Sequence, residues 1–174
     1  LLAVDGLNLP DWWIGAGFVR SKVWDHLHNY SEQTPIPDID VIYFDKKDFS
    51  AREADLESTK KEDEYQEILN KKIPEISWSV TNQARIHKLH NRKHYKNSLE
   101  ALSEWSETAT CIGVKLDNGK PVLASPHGIG DLVNLRVRQI PEYKTKYAHD
   151  PDLFYNRITE KKWLTKWPNL EIIN

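Results

Sequence analysis

The stretch Trp12-Trp13-Ile14-Gly15-Ala16-Gly17 decides how this chain folds. Trp12 to Ile14 reads as a short apolar strand. Phe18 to Tyr30 reads as an amphipathic helix, because Val19, Val23, Leu27 and Tyr30 recur at helical steps. Gly15, Ala16 and Gly17 therefore form the turn between a strand and a helix N-terminus. Missing side chains let an anion approach the backbone there, and free N–H groups with the helix dipole favour negative charge. Arg20 and Lys22, one turn in, add positive charge. The same residues also suit a tight turn that binds nothing, since the pattern is neither a Walker loop nor GxGxxG.

The next informative run is Asp38-Ile39-Asp40-Val41-Ile42-Tyr43-Phe44, entered through Pro35 and Pro37. Its β-branched and aromatic residues read as a buried strand. Strand side chains alternate, so Asp38 and Asp40 share a face, roughly 7 Å apart along the strand. An ionised carboxylate on a buried face must be paired or bind a metal. Two carboxylates at this spacing can bridge a pair of Mg²⁺ ions about 3.5–4 Å apart. The plainer reading is a solvated strand mouth, followed by the turn Asp45-Lys46-Lys47-Asp48.

Taken in order, the glycine turn on a helix and the acid-x-acid strand resemble the nucleotidyltransferase superfamily typified by DNA polymerase beta. More narrowly, the chain is similar to a bacterial nucleotidyltransferase-like family once classed as a domain of unknown function. The matching pieces include Trp12 to Gly17, Val23-Trp24-Asp25, Asp38 to Val41 with Tyr43-Phe44-Asp45, and Trp78 to His87. Ala109-Thr110, Pro126 to Leu132, Arg157, Lys162-Trp163 and Trp167-Pro168 extend the match over nearly the whole chain. The resemblance implies an α/β (α+β) fold: a mixed sheet flanked by helices, with a hairpin and a C-terminal helix added. It also implies Mg²⁺ or Mn²⁺ on Asp38 and Asp40, and a nucleoside triphosphate as substrate.

One position departs from that pattern. The superfamily usually carries a third carboxylate on the next core strand, between hydrophobic residues. Here that strand is expected over Ile76 to Val80, and the residue between Trp78 and Val80 is Ser79. Asn82 can offer a neutral oxygen there, and Asp45, Glu75 or Asp131 can arrive from elsewhere. In many superfamily members the third acid activates the attacking hydroxyl, so its absence bears on catalysis more than on nucleotide binding.

Composition sets wider limits. The 174 residues suit a single domain, 1–174, long enough to bury roughly 70% of its unfolded surface. With 24 basic against 26 acidic residues, no large basic field marks the chain as a nucleic-acid binder. The single cysteine, Cys111, excludes an internal disulfide framework and reads as a small core residue of the strand Cys111-Ile112-Gly113-Val114. No apolar run approaches the ~20 residues needed to cross a bilayer, so no membrane partner is expected. A cytoplasmic location follows as the expectation. The chain starts at Leu1 and contains no Met, which predicts a native start upstream.

The remaining sequence supplies further elements. Ser50-Ala51-Arg52-Glu53 is a capping box opening a charged helix that runs to about Lys71. Ala54, Tyr65, Ile68 and Leu69 form its modest apolar face, and it serves as the crossover from the aspartate strand to the Trp78 strand. Cys111 to Leu116, the turn Asp117-Asn118-Gly119-Lys120, and Val122 to Ala124 read as a hairpin. Leu135 to Ile140 reads as one more strand. Trp163, Leu164 and Trp167 mark a closing helix.

Three segments carry competing readings. In a helix, His87, His90 and His94 would share a stripe, either a metal site or a polar face. Arg85 and Lys88 suit phosphate contacts or surface ion pairs, while Asn82 and Gln83 suit substrate contact or helix capping. The loop Ser125 to Asp131 reads as a shaped turn in which His127 and Asp131 can also approach the nucleotide site. The seven tryptophans read as packing residues.

The sequence thus predicts a metal-dependent nucleotidyltransferase that moves a nucleoside monophosphate to an unnamed hydroxyl. Gly15, Ala16, Gly17, Arg20, Lys22, Asn82 and Arg85 would contact the triphosphate, with Asp38 and Asp40 as catalytic metal ligands. The alternatives are a nucleotide-binding protein that lost the chemistry and an interaction domain without a ligand.

Overall fold

The computed structural model describes residues 1–47, 60–86, 94–147, 150 and 152–173. A short helix, α1 (Leu2–Asp5), precedes β1 (Trp13–Gly15). Then come α2 (Gly17–Leu27), β2 (Ile39–Tyr43), α3 (Lys60–Lys72) and β3 (Trp78–Asn82). A 3-10 turn at Gln83–Arg85 and α4 (Ser98–Ser103) lead to β4 (Gly113–Asp117) and β5 (Lys120–Ala124). The chain continues through α5 (Gly130–Val133), β6 (Arg136–Arg138), α6 (Tyr143–Lys146) and α7 (Leu153–Glu160). It closes with α8 (Trp163–Lys166) and β7 (Glu171–Ile173).

Five strands form a mixed sheet in the order β3-β2-β1-β4-β5. Within this sheet, among the described residues, only β2 and β3 run parallel, with α3 between them in sequence, and this pair places Asp40 opposite Ser79. The neighbours of β1 and β4 are antiparallel. At the hairpin tip, Asn118 (φ 49°) and Gly119 (φ 74°) both take left-handed backbone, as a two-residue type I′ turn requires. The mixed α+β sheet expected from the sequence is therefore present. The capping box at Ser50 to Glu53 lies outside the described residues, and α3 is described from Lys60.

Alternation along β2 sorts its residues between two layers. Val41 and Tyr43 join Ile14, Val80, Val114 and Leu69 of α3 in one core. Ile42 faces the other side with Trp13 and Leu102 of α4. Removing a buried side chain such as Leu69 typically costs about 2–5 kcal/mol, so packing is a main part of what holds α3 on the sheet. Within α3, Ile68 is exposed while Glu62 is buried. A third core joins α2 to the C-terminal elements, with Trp24 edge-on to Trp163 and Trp167 at 5.6 and 5.0 Å between ring centroids.

Two expected elements differ in detail. In α2 the buried stripe is Arg20, Ser21, Trp24 and Asp25, while Val19 and Val23 are only partly buried and Tyr30 lies beyond the helix. Three of those four residues are polar, with Arg20 bonded to Thr110 and Asp25 to Thr34 and Trp167, so apolar periodicity alone points to the wrong side of the helix. Asn29 (φ 57°) ends α2, and the Tyr30 N–H donates to the Asp25 carbonyl in a Schellman-type closure. The closing helix is two short ones, broken at Lys162 (φ 54°), with Trp163 and Trp167 buried and Leu164 exposed. The parallel pair β6–β7 behind them was not expected, because β7 spans only Glu171–Ile173.

Candidate active site

The site starts at the turn between β1 and α2. Ala16 sits at φ 39°, ψ −105°, and its N–H donates to the Ile112 carbonyl at 2.8 Å. A side chain at such positive φ is strained by about 1–3 kcal/mol, and strain of this kind gathers at functional sites. The first helical bonds run from the Val19 and Arg20 N–H groups to the Ala16 carbonyl, which leaves the Gly17 and Phe18 N–H groups outside the ladder. The two glycines differ. A Cβ on Gly15 would lie 2.6 Å from the Trp105 ring, so Gly15 is there for close packing. On Gly17 it would meet only Ile36 at 3.7 Å and an Arg20 amino nitrogen at 3.9 Å.

Gly17 opens onto a cavity of about 390 Å³. Ala16, Gly17, Arg20 and Ser21 form one side, and the segment Pro35 to Asp38 with Asp40 forms another. Trp105, Ser106 and Thr110 supply a third, and Tyr147, Arg157, Lys161 and Lys166 close it together with Trp163 and Trp167. The turn, the acid pair and a basic wall thus share one hollow. Asp38 is exposed at its mouth and Asp40 half-buried within it. Burial, and then the neighbouring Asp38, push the Asp40 carboxyl up to about 6, against the opposing pull of Lys161, Arg20 and Arg157.

Arg20 is the most unusual group in the cavity. It is 7% exposed, and one amino group donates to Thr110 Oγ1 at 2.9 Å. Its guanidinium carbon lies 4.5 Å from the Trp163 ring centroid and 5.2 Å from that of Trp24. Its Nε has no hydrogen-bond partner among the described residues. Burial lowers its pKa to about 10, offset by the charges of Glu107 and Asp40. Arg157, by contrast, is tied to Glu107, with Nε 2.9 Å from Oε1. Burial works against the Arg157 charge, but Glu107 outweighs it and its pKa rises.

Other residues singled out in the sequence lie elsewhere. Lys22 Nζ donates to Gln33 Oε1 at 2.7 Å and does not line the cavity. Neither do Asn82 and Arg85. Asn82 Oδ1 accepts from the N–H groups of Asp45 and Ala84, pinning the end of β2 to the 3-10 turn as a cap. Arg85 pairs with Glu62 in the interior. His127 bonds the Ser103 carbonyl, and Asp131 accepts from Thr108 and Arg138. His87 and His90 lie outside the described residues. Arg157 belonged to the family resemblance without a role, and Lys161 and Lys166 gave no sequence signal at all. Three tryptophans, Trp105, Trp163 and Trp167, line the cavity as well as packing beneath it.

A hard divalent cation suits this donor set in part. Asp38 and Asp40 offer hard oxygen ligands. Among the described residues no group of three or more His, Cys, Asp or Glu side chains is placed to hold a metal. The two carboxylates therefore fit a cation that takes its remaining oxygens from substrate phosphate and water, as Mg²⁺ commonly does.

Comparison with known proteins gives the family and the fold. A family model described as nucleotidyltransferase matches residues 3–172, and the chain belongs to that family. No protein of curated function matches the sequence. A solved structure described as revealing a CCA-adding enzyme head domain is 29% identical with a TM-score of 0.80, covering 100% of this chain and 87% of that one. The Thermotoga maritima CCA-adding enzyme complexed with tRNA is 14% identical, with a TM-score of 0.58 over 99% of this chain and 37% of that one. A CCA-adding enzyme in complex with CTP gives 14% and 0.58 over 99% of this chain and 38% of that one. The chain spans well under half of those two enzymes, and the likeness to them is one of fold. The protein is thus an enzyme of the nucleotidyltransferase type, a family that generally uses divalent metals. Among the described residues no helix is long and apolar enough to cross a membrane.

Proposed function

We propose that the cavity binds a metal-bound nucleoside triphosphate and transfers its nucleoside monophosphate to a hydroxyl acceptor. One observation carries this reading: Arg20 is a buried cation in the cavity wall whose hydrogen-bond partner among the described residues is a neutral hydroxyl. A charge taken out of water needs a counter-ion, and an anion in the cavity provides it. The Gly17 and Phe18 N–H groups at the start of α2 add donors of the kind that cradle phosphate.

Asp38 and Asp40 would hold Mg²⁺ or Mn²⁺, which supplies Lewis-acid neutralisation of the phosphate charge. Arg20 would hold phosphate oxygens, assisted by Arg157 and Lys161 across the cavity. The acceptor hydroxyl gives up its proton to solvent water as its oxygen forms a bond to the α-phosphorus, the bond from the α-phosphorus to the bridging β-phosphate oxygen breaks, and pyrophosphate leaves. Fixed donors lower this barrier because they are already oriented where charge develops. Trp105 and Tyr147 provide flat surfaces for the base.

The test uses CTP and ATP, the nucleotides present in complexes of the structurally similar CCA-adding enzymes. Mg²⁺ with either triphosphate should raise the melting temperature, since a ligand at 100 times its dissociation constant adds about 2.7 kcal/mol. Asp38→Asn and Asp40→Asn should each remove the Mg²⁺-dependent part of that rise. Labelled triphosphate incubated with a cell extract should release pyrophosphate and mark the acceptor. No stabilisation by any triphosphate would sink the proposal. Stabilisation without pyrophosphate release would describe a member that binds without turnover, with Ser79 as the reason.

A further inference from the structure

We infer that Glu107 is a positioning residue that turns Arg157 into a second phosphate clamp, an inference that rests on the triphosphate reading of the cavity. Glu107 is 0% exposed, does not line the cavity, and drew no attention in the sequence. Its Oε1 accepts from Ser106 Oγ at 2.6 Å and from Arg157 Nε at 2.9 Å. Its Oε2 has no hydrogen-bond partner among the described residues. A carboxylate buried with one oxygen unsatisfied costs stability, and a salt bridge there is weak evidence of a stabilising purpose. Its value lies in what it does to Arg157.

A guanidinium has five donors in a planar fork. Pairing through the terminal amino groups would use up the edge that recognises phosphate. Glu107 instead takes the single Nε–H, and Arg157, which lines the cavity with its side chain 30% exposed, keeps both terminal amino groups for a ligand. Two parallel N–H groups match two oxygens of a phosphate.

The backbone around Glu107 explains why its position is firm. The Thr110 and Cys111 N–H groups both donate to the Glu107 carbonyl, at 2.9 and 3.1 Å, closing the segment into a tight turn. That turn distributes its side chains among different elements. Glu107 holds Arg157 of α7, Thr108 binds Asp131 of α5, and Thr110 holds Arg20 of α2. One short turn therefore sets the places of both cavity arginines. The Glu107 charge also does most to offset the burial cost of Arg20.

The experiment measures binding of inorganic tripolyphosphate and of Mg²⁺-ATP by calorimetry, with a melting curve for each variant. Glu107→Ala should weaken both ligands about tenfold, the effect of losing one charge-assisted contact. Glu107→Gln keeps an acceptor oxygen for Nε and should recover most of that loss. Arg157→Lys keeps the charge without the fork and should weaken binding similarly. In that background Glu107→Ala should cost no further affinity, because the two residues act as a unit. A parent that binds tripolyphosphate while Glu107→Ala binds it equally well overturns this inference alone. So does a further loss in the double variant, which would mean that Glu107 acts on the fold. If Glu107→Ala does not fold, parent-like binding by Arg157→Lys overturns it instead. A parent that binds neither ligand overturns the cavity reading itself.

Discussion

Asp40 on β2 and Ser79 on β3 are register partners in a parallel pair, so their side chains stand on one face of the sheet. Neighbouring strands lie about 4.8 Å apart, close enough for two carboxylates to share a cation. The serine thus occupies the place beside the acid pair where the superfamily pattern puts an acid. Ser79→Asp should lower the melting temperature in chelator, because a third like charge is crowded onto that face. It should also enlarge the stabilisation produced by Mn²⁺. Melting curves with chelator and with Mn²⁺ measure both effects, and an unchanged metal response would place the metal away from β2.

Asp40 fixes a pH dependence. Its carboxyl is raised to about 6 in the folded protein, against the ordinary aspartate value of 3.8. Between those two values the folded state holds the proton more tightly than the unfolded state. Stability from this group is therefore present below about 4 and lost as pH rises towards 6. Asp40→Asn should raise the melting temperature of the metal-free protein at pH 7–8 and leave it nearly unchanged near pH 4. Metal binding requires the ionised form, so Mg²⁺-dependent triphosphate binding should increase as pH passes through about 6. Binding that stays flat from pH 5 to 8 would remove Asp40 from the metal site.

The two glycines of the turn should respond differently. Gly15→Ala pushes a methyl group into the Trp105 ring, 2.6 Å away, and should destabilise the fold by roughly 1–3 kcal/mol through overpacking. Gly17→Ala has room for its methyl and should preserve the fold while crowding the phosphate position. Calorimetric titration of both variants with Mg²⁺-ATP separates the roles. Parent-like affinity in Gly17→Ala would reduce that glycine to a backbone residue.

Arg85 provides a control far from the cavity. Its partner is Glu62, and both side chains are almost fully buried. Arg85→Met takes the cation from that buried carboxylate and should cost about 3–5 kcal/mol of stability. Triphosphate affinity of the folded fraction should match the parent's, and a selective loss of affinity would return Arg85 to the substrate-contacting set.

What the sequence reveals of this site follows from how locally each part is encoded. The glycine turn and the Asp38–Asp40 strand are short and carry their own geometry, so they can be read directly, as can the Asn118-Gly119 hairpin. The basic wall cannot. Arg157, Lys161 and Lys166 lie more than a hundred residues from Asp40 and join it only because α7 and α8 fold against α2. Arg20 looks like a surface charge in the sequence, since nothing there shows that Thr110, Trp24 and Trp163 surround it. Ala16 is hidden for the opposite reason. The strained residue of the turn is the alanine between two glycines that are not at positive φ. Asn82 and Arg85 form a local motif whose partners, Asp45 and Glu62, make it a structural pin.

Arg20 permits the sharpest separation of stability from function. Its guanidinium is buried, stacks on Trp163 and Trp24, and bonds Thr110, yet no carboxylate among the described residues lies within ion-pair distance. Methionine has a similar reach and an adaptable thioether that packs well against aromatic rings. Replacing a buried charge by a packed apolar side chain is often neutral or stabilising by about 1–4 kcal/mol. Arg20→Met should therefore hold or raise the melting temperature without ligand. The same change removes the charged donor facing the phosphates, where each charge-assisted hydrogen bond contributes about 1.5–3 kcal/mol, or roughly 10- to 100-fold in affinity. Melting curves with and without Mg²⁺-ATP should then move in opposite directions relative to the parent. A structural arginine would give the reverse: a lower melting temperature without ligand and an undiminished rise with it. That result would leave the cavity without its central anion contact and would shift the phosphate site towards Lys161 and Arg157.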